Sequence, residues 1–325
     1  MIKISIRYER LISAHFTLAV GGIVLAILCT FPIARRAEAG ATTLGTAANY
    51  GVLVGTGQTL ALNGSLSITG NVGVGANSAT QSSGINFITG TVYEDSSVYN
   101  GGSGYTFVTG GVVTQSMSTA VSSALSASNA AAALTATSGL VDQGGSITVS
   151  GGSVTIKALT NLSENVLYIS SLSLLNGTLT FDDNGFTGAK FIIDVTGGFS
   201  VNSTGTGKSV IQGINGASAD DIIFNIEGTG TNVSMTGNST NNIIGTVLAP
   251  SRNVTVGGGG SLTGAIVAGV NNAGKSYTVS SATGGYNITG LGYTPRNPVN
   301  TPEPSSIFLF TTSTFMLLAL RRRRG

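Results

Sequence analysis

From about residue 44 to residue 290 the chain repeats one local pattern, a hydroxyl residue, an apolar residue and then threonine. It appears as Ser67-Ile68-Thr69, Ser146-Ile147-Thr148, Ser153-Val154-Thr155, Thr178-Leu179-Thr180 and Ser234-Met235-Thr236, with Asn253-Val254-Thr255 and Asn287-Ile288-Thr289 as variants. On a strand, period-two alternation turns the central apolar residue inward and both flanking polar residues outward. Gly110-Gly111, Gly151-Gly152, Gly197-Gly198 and Gly257 to Gly260 separate the runs as corners. Ile222, Ile243 and Leu262 open similar segments about 20 residues apart, one coil's length, and Val166 and Phe191 open coils with longer loops. Short strands between glycine corners fit a β-solenoid or a sandwich, and the spacing favours the solenoid, whose coils bury their apolar sides only by stacking.

One segment breaks the pattern. Residues 115–136 are rich in Ala, Ser, Leu and Met, without Gly, Pro or charge. They predict an accessory helix with Met117, Val121, Ala124, Leu125, Ser128 and Ala132 on one face and Leu134 off it. An uncharged helix is marginal alone, so it should cover apolar surface of the solenoid; a partner-binding helix is the rival reading.

Both ends read as addresses. Lys3, Arg7 and Arg10 precede an apolar stretch from Phe16 to Ile33 and then Ala37-Glu38-Ala39. This order predicts a signal peptide over residues 1–39, cleaved after Ala39 with Ala37 and Ala39 as the recognition pair, and hence passage through the Sec translocon. Arg35 and Arg36 just past the apolar stretch leave an uncleaved anchor as the alternative. At the other end, Thr301-Pro302-Glu303-Pro304 precede an apolar run from Ile307 to Leu320 and then Arg321, Arg322, Arg323 and Arg324. The run is shorter than the ~20 residues of a comfortable span, and the arginines hold its end on the cytoplasmic side. This tripartite layout resembles the PEP-CTERM sorting signal, with Thr301 where the usual form has valine. The resemblance implies a bacterial protein recognised by exosortase, with a transmembrane sorting helix in residues 305–325 after a linker over residues 293–304. An ordinary membrane anchor is the plainer alternative.

Setting both ends aside changes the chemistry. The whole chain carries a formal charge of +2, but between Gly40 and Pro304 six basic and eleven acidic residues give −5. No basic patch remains for nucleic acid. The only Cys (Cys29) and the only His (His15) fall within the signal peptide. The exported body therefore holds no disulfide, no Ser-His-Asp or Cys-His nucleophile, and no zinc site built on His or Cys. Its roughly 265 residues suffice for one β domain. No cofactor is expected.

The opening Leu44-Gly45-Thr46-Ala47-Ala48-Asn49-Tyr50-Gly51-Val52-Leu53, followed by Ile68-Thr69-Gly70-Asn71-Val72-Gly73-Val74, resembles the start of the bacterial ice-binding domain family. So do Ala189 to Val195, Ile222 to Ile226, Gly245 to Pro250 and Leu262 to Ala268, the last two of which also resemble choice-of-anchor A modules. The resemblance implies a right-handed, discontinuous parallel β-helix of triangular section over residues 40–292, with an α-helix alongside and both ends of the domain pairing to complete coils. It also raises ice as a ligand. Thr69, Thr148, Thr155, Thr180, Thr236 and Thr255 are the candidates for an ice or ligand face if their strands stack on one side. The plain alternative is that outward Thr is a good strand former with a polar tip.

Asp182-Asp183 and Asp220-Asp221 are the remaining chemistry. Adjacent strand residues face opposite sides, so neither doublet is a glycosidase pair. Asp182-Asp183-Asn184-Gly185 reads first as a turn, with calcium as a rival. The sequence thus predicts an exported cell-surface or matrix protein with a non-catalytic, structural or adhesive role. Its partners would be exosortase, the membrane and exopolysaccharide. Ice binding is the alternative, and a carboxylate-based carbohydrate enzyme is the third class.

Overall fold

The computed structural model describes residues 42–100, 105–140, 143–161, 164–237, 241–271, 276–280, 285–290 and 292–294. The predicted signal peptide, the Pro302-Glu303-Pro304 motif and the apolar helix with its arginines lie outside them. Among the described residues no helix is long and apolar enough to cross a membrane.

Three parallel sheets of nine strands each form the body, and successive strands of the chain pass from one sheet to the next. Sheet A holds Tyr50–Val54, Asn71–Val74, Val92–Glu94, Val112–Thr114, Asn165–Ile169, Phe191–Val195, Ile222–Ile226, Thr246–Ala249 and Ile266–Ala268. Sheet B holds Thr59–Asn63, Ala79–Ser83, Tyr99–Asn100, Ser146–Ser150, Ser171–Leu175, Phe199–Ser203, Val233–Gly237, Val254–Gly257 and Ser276–Ser280. Sheet C holds Leu66–Thr69, Asn86–Ile88, Phe107–Val108, Ser153–Lys157, Thr178–Asp182, Val210–Ile214, Asn241–Ile244, Gly260–Thr263 and Tyr286–Thr289. This is the expected solenoid rather than a sandwich. The central residues of the repeated triplets point inward: Ile68, Ile147, Leu179, Met235, Val254 and Ile288 are at most 2% exposed.

Coil order is not chain order. The chain starts in the middle of the stack, runs out to one end at Val112–Thr114, crosses to the opposite end, and returns coil by coil. Its last coil then pairs with its first: Val52 with Ile266, Thr59 with Ser276 and Ile68 with Ile288. This seam needs glycine. A Cβ on Gly290 would lie 2.5 Å from the Gly51 Cα.

The helix α1 (Ser118–Ala132) makes the crossing, shorter than the sequence pattern suggested. Its buried face is Ala120, Ala124, Ala127, Ser128 and Ala131, resting on Val166, Ile192, Ile223, Leu248 and Val267 of sheet A. The expected face was rotated: Val121 and Leu125 are only partly buried, because small alanines let the helix backbone approach the sheet most closely. Leu134 lies past the helix end and folds in, and the Tyr168 hydroxyl meets the Ala132 and Leu134 carbonyls at 2.9 and 2.6 Å. Since α1 packs on its own solenoid, its apolar face is not a free partner surface.

Two polar features inside the body escaped the sequence. Arg252 is 1% exposed, and its guanidinium donates to the carbonyls of Thr196, Glu227, Gly228 and Thr231, tying the corners of neighbouring coils. Beneath α1, the Ser128 hydroxyl donates to Asn225 Oδ1 at 2.6 Å, and Asn225 Nδ2 donates to Asp194 at 2.6 Å. Burial, opposed by that amide and reinforced by the Glu227 carboxylate, pushes the Asp194 carboxyl up to about 7.

Replacing Arg252 by Ala removes the buried guanidinium that donates to four part-buried corner carbonyls and should cost on the order of 2 kcal/mol, read as a lower urea midpoint. Asp194 holds its proton in the folded state above the pH where the unfolded chain has lost it. Stability is therefore present near the ordinary value of 3.8 and falls as pH rises through about 7. Melting temperature should be higher at pH 5 than at pH 8, and Asp194→Asn should flatten much of that difference.

Candidate functional site

Sheet A is covered by α1, which leaves the outer surfaces of sheets B and C as the candidate binding faces. The six predicted threonines divide between them. Thr148, Thr236 and Thr255 lie on sheet B, whereas Thr69, Thr155 and Thr180 lie on sheet C. They do not form one face. The triplet pattern recurs in consecutive strands around a coil, so it marks outwardness without marking which side. Thr180 is also 6% exposed, and its hydroxyl accepts a bond from the Gln212 amide at 3.3 Å.

Register assembles a longer array on sheet B. Thr148 pairs with Ser173, Ser173 with Ser200, Ser200 with Ser234, and Ser234 with Thr255. Thr255 then pairs with Thr278, Thr278 with Ala61 across the seam, and Ala61 with Gln81. Seven consecutive coils thus present only Thr, Ser or Ala along one line. The strand spacing of such a sheet is about 4.8 Å, and same-face neighbours along a strand are roughly 6.8 Å apart, which makes a two-dimensional grid of small groups.

A second line runs beside it through Ser150, Leu175, Asn202 and Thr236. Here Asn202 Oδ1 accepts from the Ser234 and Thr236 hydroxyls at 3.1 and 2.8 Å, fixing both side chains in place. The nine strands of sheet B contain no Asp, Glu, Lys or Arg. Ser173 and Ser200 were missed because no threonine closes their triplets, and Thr278 because tyrosine stands at the centre of Ser276-Tyr277-Thr278.

Sheet C has a different character. Its outward lines contain Thr263, Thr289 and Thr69 in register, but also Val210, Gln212, Ile244, and at one end Lys157 and Asp182. At the other end the exposed Phe87 and Phe107 rings stack at 5.0 Å.

The carboxylate doublets serve the fold. Asp182 faces out and accepts from the Asn215 side chain and then from the Asn184 amide nitrogen, bonds that hold its carboxyl below the ordinary value. Asp183 turns inward and is fully buried, and burial followed by the nearby Asp221 charge raises it. Asn184 and Gly185 both take positive φ, giving the turn expected there. Asp221 pairs with Lys190 at 2.6 Å and accepts from the Ser218 amide nitrogen at 2.8 Å. The same cluster docks Tyr293 and Thr294: the Asp220 carbonyl accepts from the Thr294 amide nitrogen at 3.0 Å, and the Lys190 ammonium lies 5.9 Å from the Tyr293 ring centre. Among the described residues no three acidic, His or Cys side chains gather as metal ligands.

Solved structures are similar to this chain. An ice-binding protein from the Antarctic ascomycete Antarctomyces psychrotrophicus is 22% identical, with 77% of this chain and 98% of that one aligned at a TM-score of 0.51. The ice-binding protein 1 DUF3494 domain of Shewanella frigidimarina is 18% identical over 78% of this chain and 98% of that one, with a TM-score of 0.46. No curated protein matches. The family model described as ice-binding-like matches residues 54–273, well over half of the chain and almost all of the solenoid. This chain belongs to the ice-binding-like family.

Proposed function

We propose that this protein binds ice through the outer face of sheet B. The observation that carries the reading is the unbroken line from Thr148 to Ala61, seven coils of small side chains in register on a sheet without charge. Ice offers a repeating array of water oxygens, so a ligand face for it must itself repeat in two directions. Charged side chains would instead hold their own hydration shells and break the pattern. Parallel coils meet the first requirement by construction, and the composition of sheet B meets the second. Clamping by Asn202 adds rigidity, which lowers the entropy lost on binding. The ice-binding proteins of similar architecture support the same assignment.

This reading takes precedence over the structural or adhesive role expected from the sequence, because family membership and the sheet B array both favour ice over an unspecified matrix ligand. Delivery outside a bacterial cell remains part of the proposal, supported by the signal-like segment ending at Ala39 and the Pro302-Glu303-Pro304 sorting pattern. On this reading residues 40–294 act as a binding body and not as a catalyst, consistent with Asp182, Asp220 and Asp221 being engaged in turns, caps and an ion pair.

The test is ice-recrystallisation inhibition and thermal hysteresis by residues 40–304. Thr255→Tyr, at the middle of the line, should reduce activity about tenfold or more by lifting the grid off the ice surface. Asn287→Lys, exposed on sheet C, should leave activity unchanged. Ice growth indistinguishable from buffer with the parent protein would overturn the assignment, and equal loss in both variants would overturn the choice of face.

A further inference from the structure

We infer that two copies of this chain associate end to end through the coil formed by Tyr99–Asn100, Phe107–Val108 and Val112–Thr114. These strands are the last in their sheets, so each presents an edge of backbone donors and acceptors that no strand of the body pairs. The apolar interior is open here as well. Val52, Val72, Val92 and Val112 form one inward ladder, and the first three are fully buried, whereas Val112 is 52% exposed because no further coil lies above it. Among the described residues, six of the nine exposed large apolar side chains lie on the final coils at this end: Ile85, Phe87, Tyr99, Phe107, Val112 and Val113.

The opposite end is finished differently. Of its first inward residues, Ile147, Val149 and Ile156 are 1 to 4% exposed and Val154 is half-buried, with Leu140 packed into the same core. Its sheet C edge strand ends in the exposed Lys157, a charge of the kind that discourages strand addition. One end is therefore protected and the other is not.

That asymmetry selects the occupant. A head-to-tail stack would set the open end against the protected one and propagate into fibres. Two open ends meeting about a two-fold axis give a closed pair, the commonest symmetry of soluble oligomers. The three edge strands hold no Lys, Arg, Asp or Glu, so an identical end meets no like-charge repulsion. The two-fold brings the edges together antiparallel, an arrangement strands pair in readily. It also covers both open cores and gives Phe107, already stacked on Phe87, a further apolar surface.

Sedimentation equilibrium of the full chain in mild detergent tests this. The expected result is a mass of two chains for the parent, and one chain for Val112→Lys and for Phe107→Lys with unchanged circular dichroism. Leu159→Lys, at the protected end, should remain a pair. Because all variants keep the same terminal segments, association through those segments would persist in Val112→Lys and Phe107→Lys and would overturn the inference. A parent that stays single at every concentration would also overturn it, as would loss of the pair in Leu159→Lys alone.

Discussion

Everything in this molecule follows from stacking parallel coils in register. A single coil exposes its apolar side to water, so each inward residue depends on its counterpart one coil away. A slip of one position on any strand would send hydroxyls into the core and Val, Ile and Leu out of it. Much of the remaining structure holds that register. Phe181, Phe191, Phe199 and Phe224 interlock edge to face at 5.1 to 5.9 Å across the returning coils. Asn165 and Asn241 are buried at corners, where their amides bond backbone groups of the turning chain. Arg252 does the same for several loops at once.

The fold was legible because the constraint is written locally. Ser67-Ile68-Thr69 and its relatives state which side of each strand is dry, and glycine states where the chain bends. The position of α1 was legible for a similar reason, since a run of alanine without glycine cannot continue the β pattern. Its orientation was not. Val121 and Leu125 were expected on the buried face with Ala124 and Ser128, yet the helix is turned so that Ala120, Ala124, Ala127, Ser128 and Ala131 are buried and Val121 and Leu125 lie at the margin. Asp194 and Arg252 were invisible as interior groups, because their burial depends on loops of other coils and not on their neighbours in sequence.

The binding face was half legible. Each strand reveals that a threonine points outward, but which threonines share a side depends on how many residues separate the strands of a coil, and that number varies from coil to coil. Thr148 and Thr155 are seven positions apart and lie on different sheets; Thr148 and Thr255 lie far apart in sequence and belong to one line. The uncharged character of sheet B was available from composition, but only topology shows that Lys157 and Asp182 sit on the neighbouring sheet. The acidic doublets drew attention out of proportion to their role, because in a chain with so few charges any adjacent pair stands out.

The seam has a consequence for biosynthesis. Val52 and Ile266 are paired neighbours separated by more than 200 residues, so the central coils lack their partners until the strand Ile266–Ala268 has left the ribosome. Such long-range closure makes for slow folding, with the unfinished chain keeping its middle unzipped. Completion and locking are then a single late event, and the coils on either side of the seam become secure together rather than one after another.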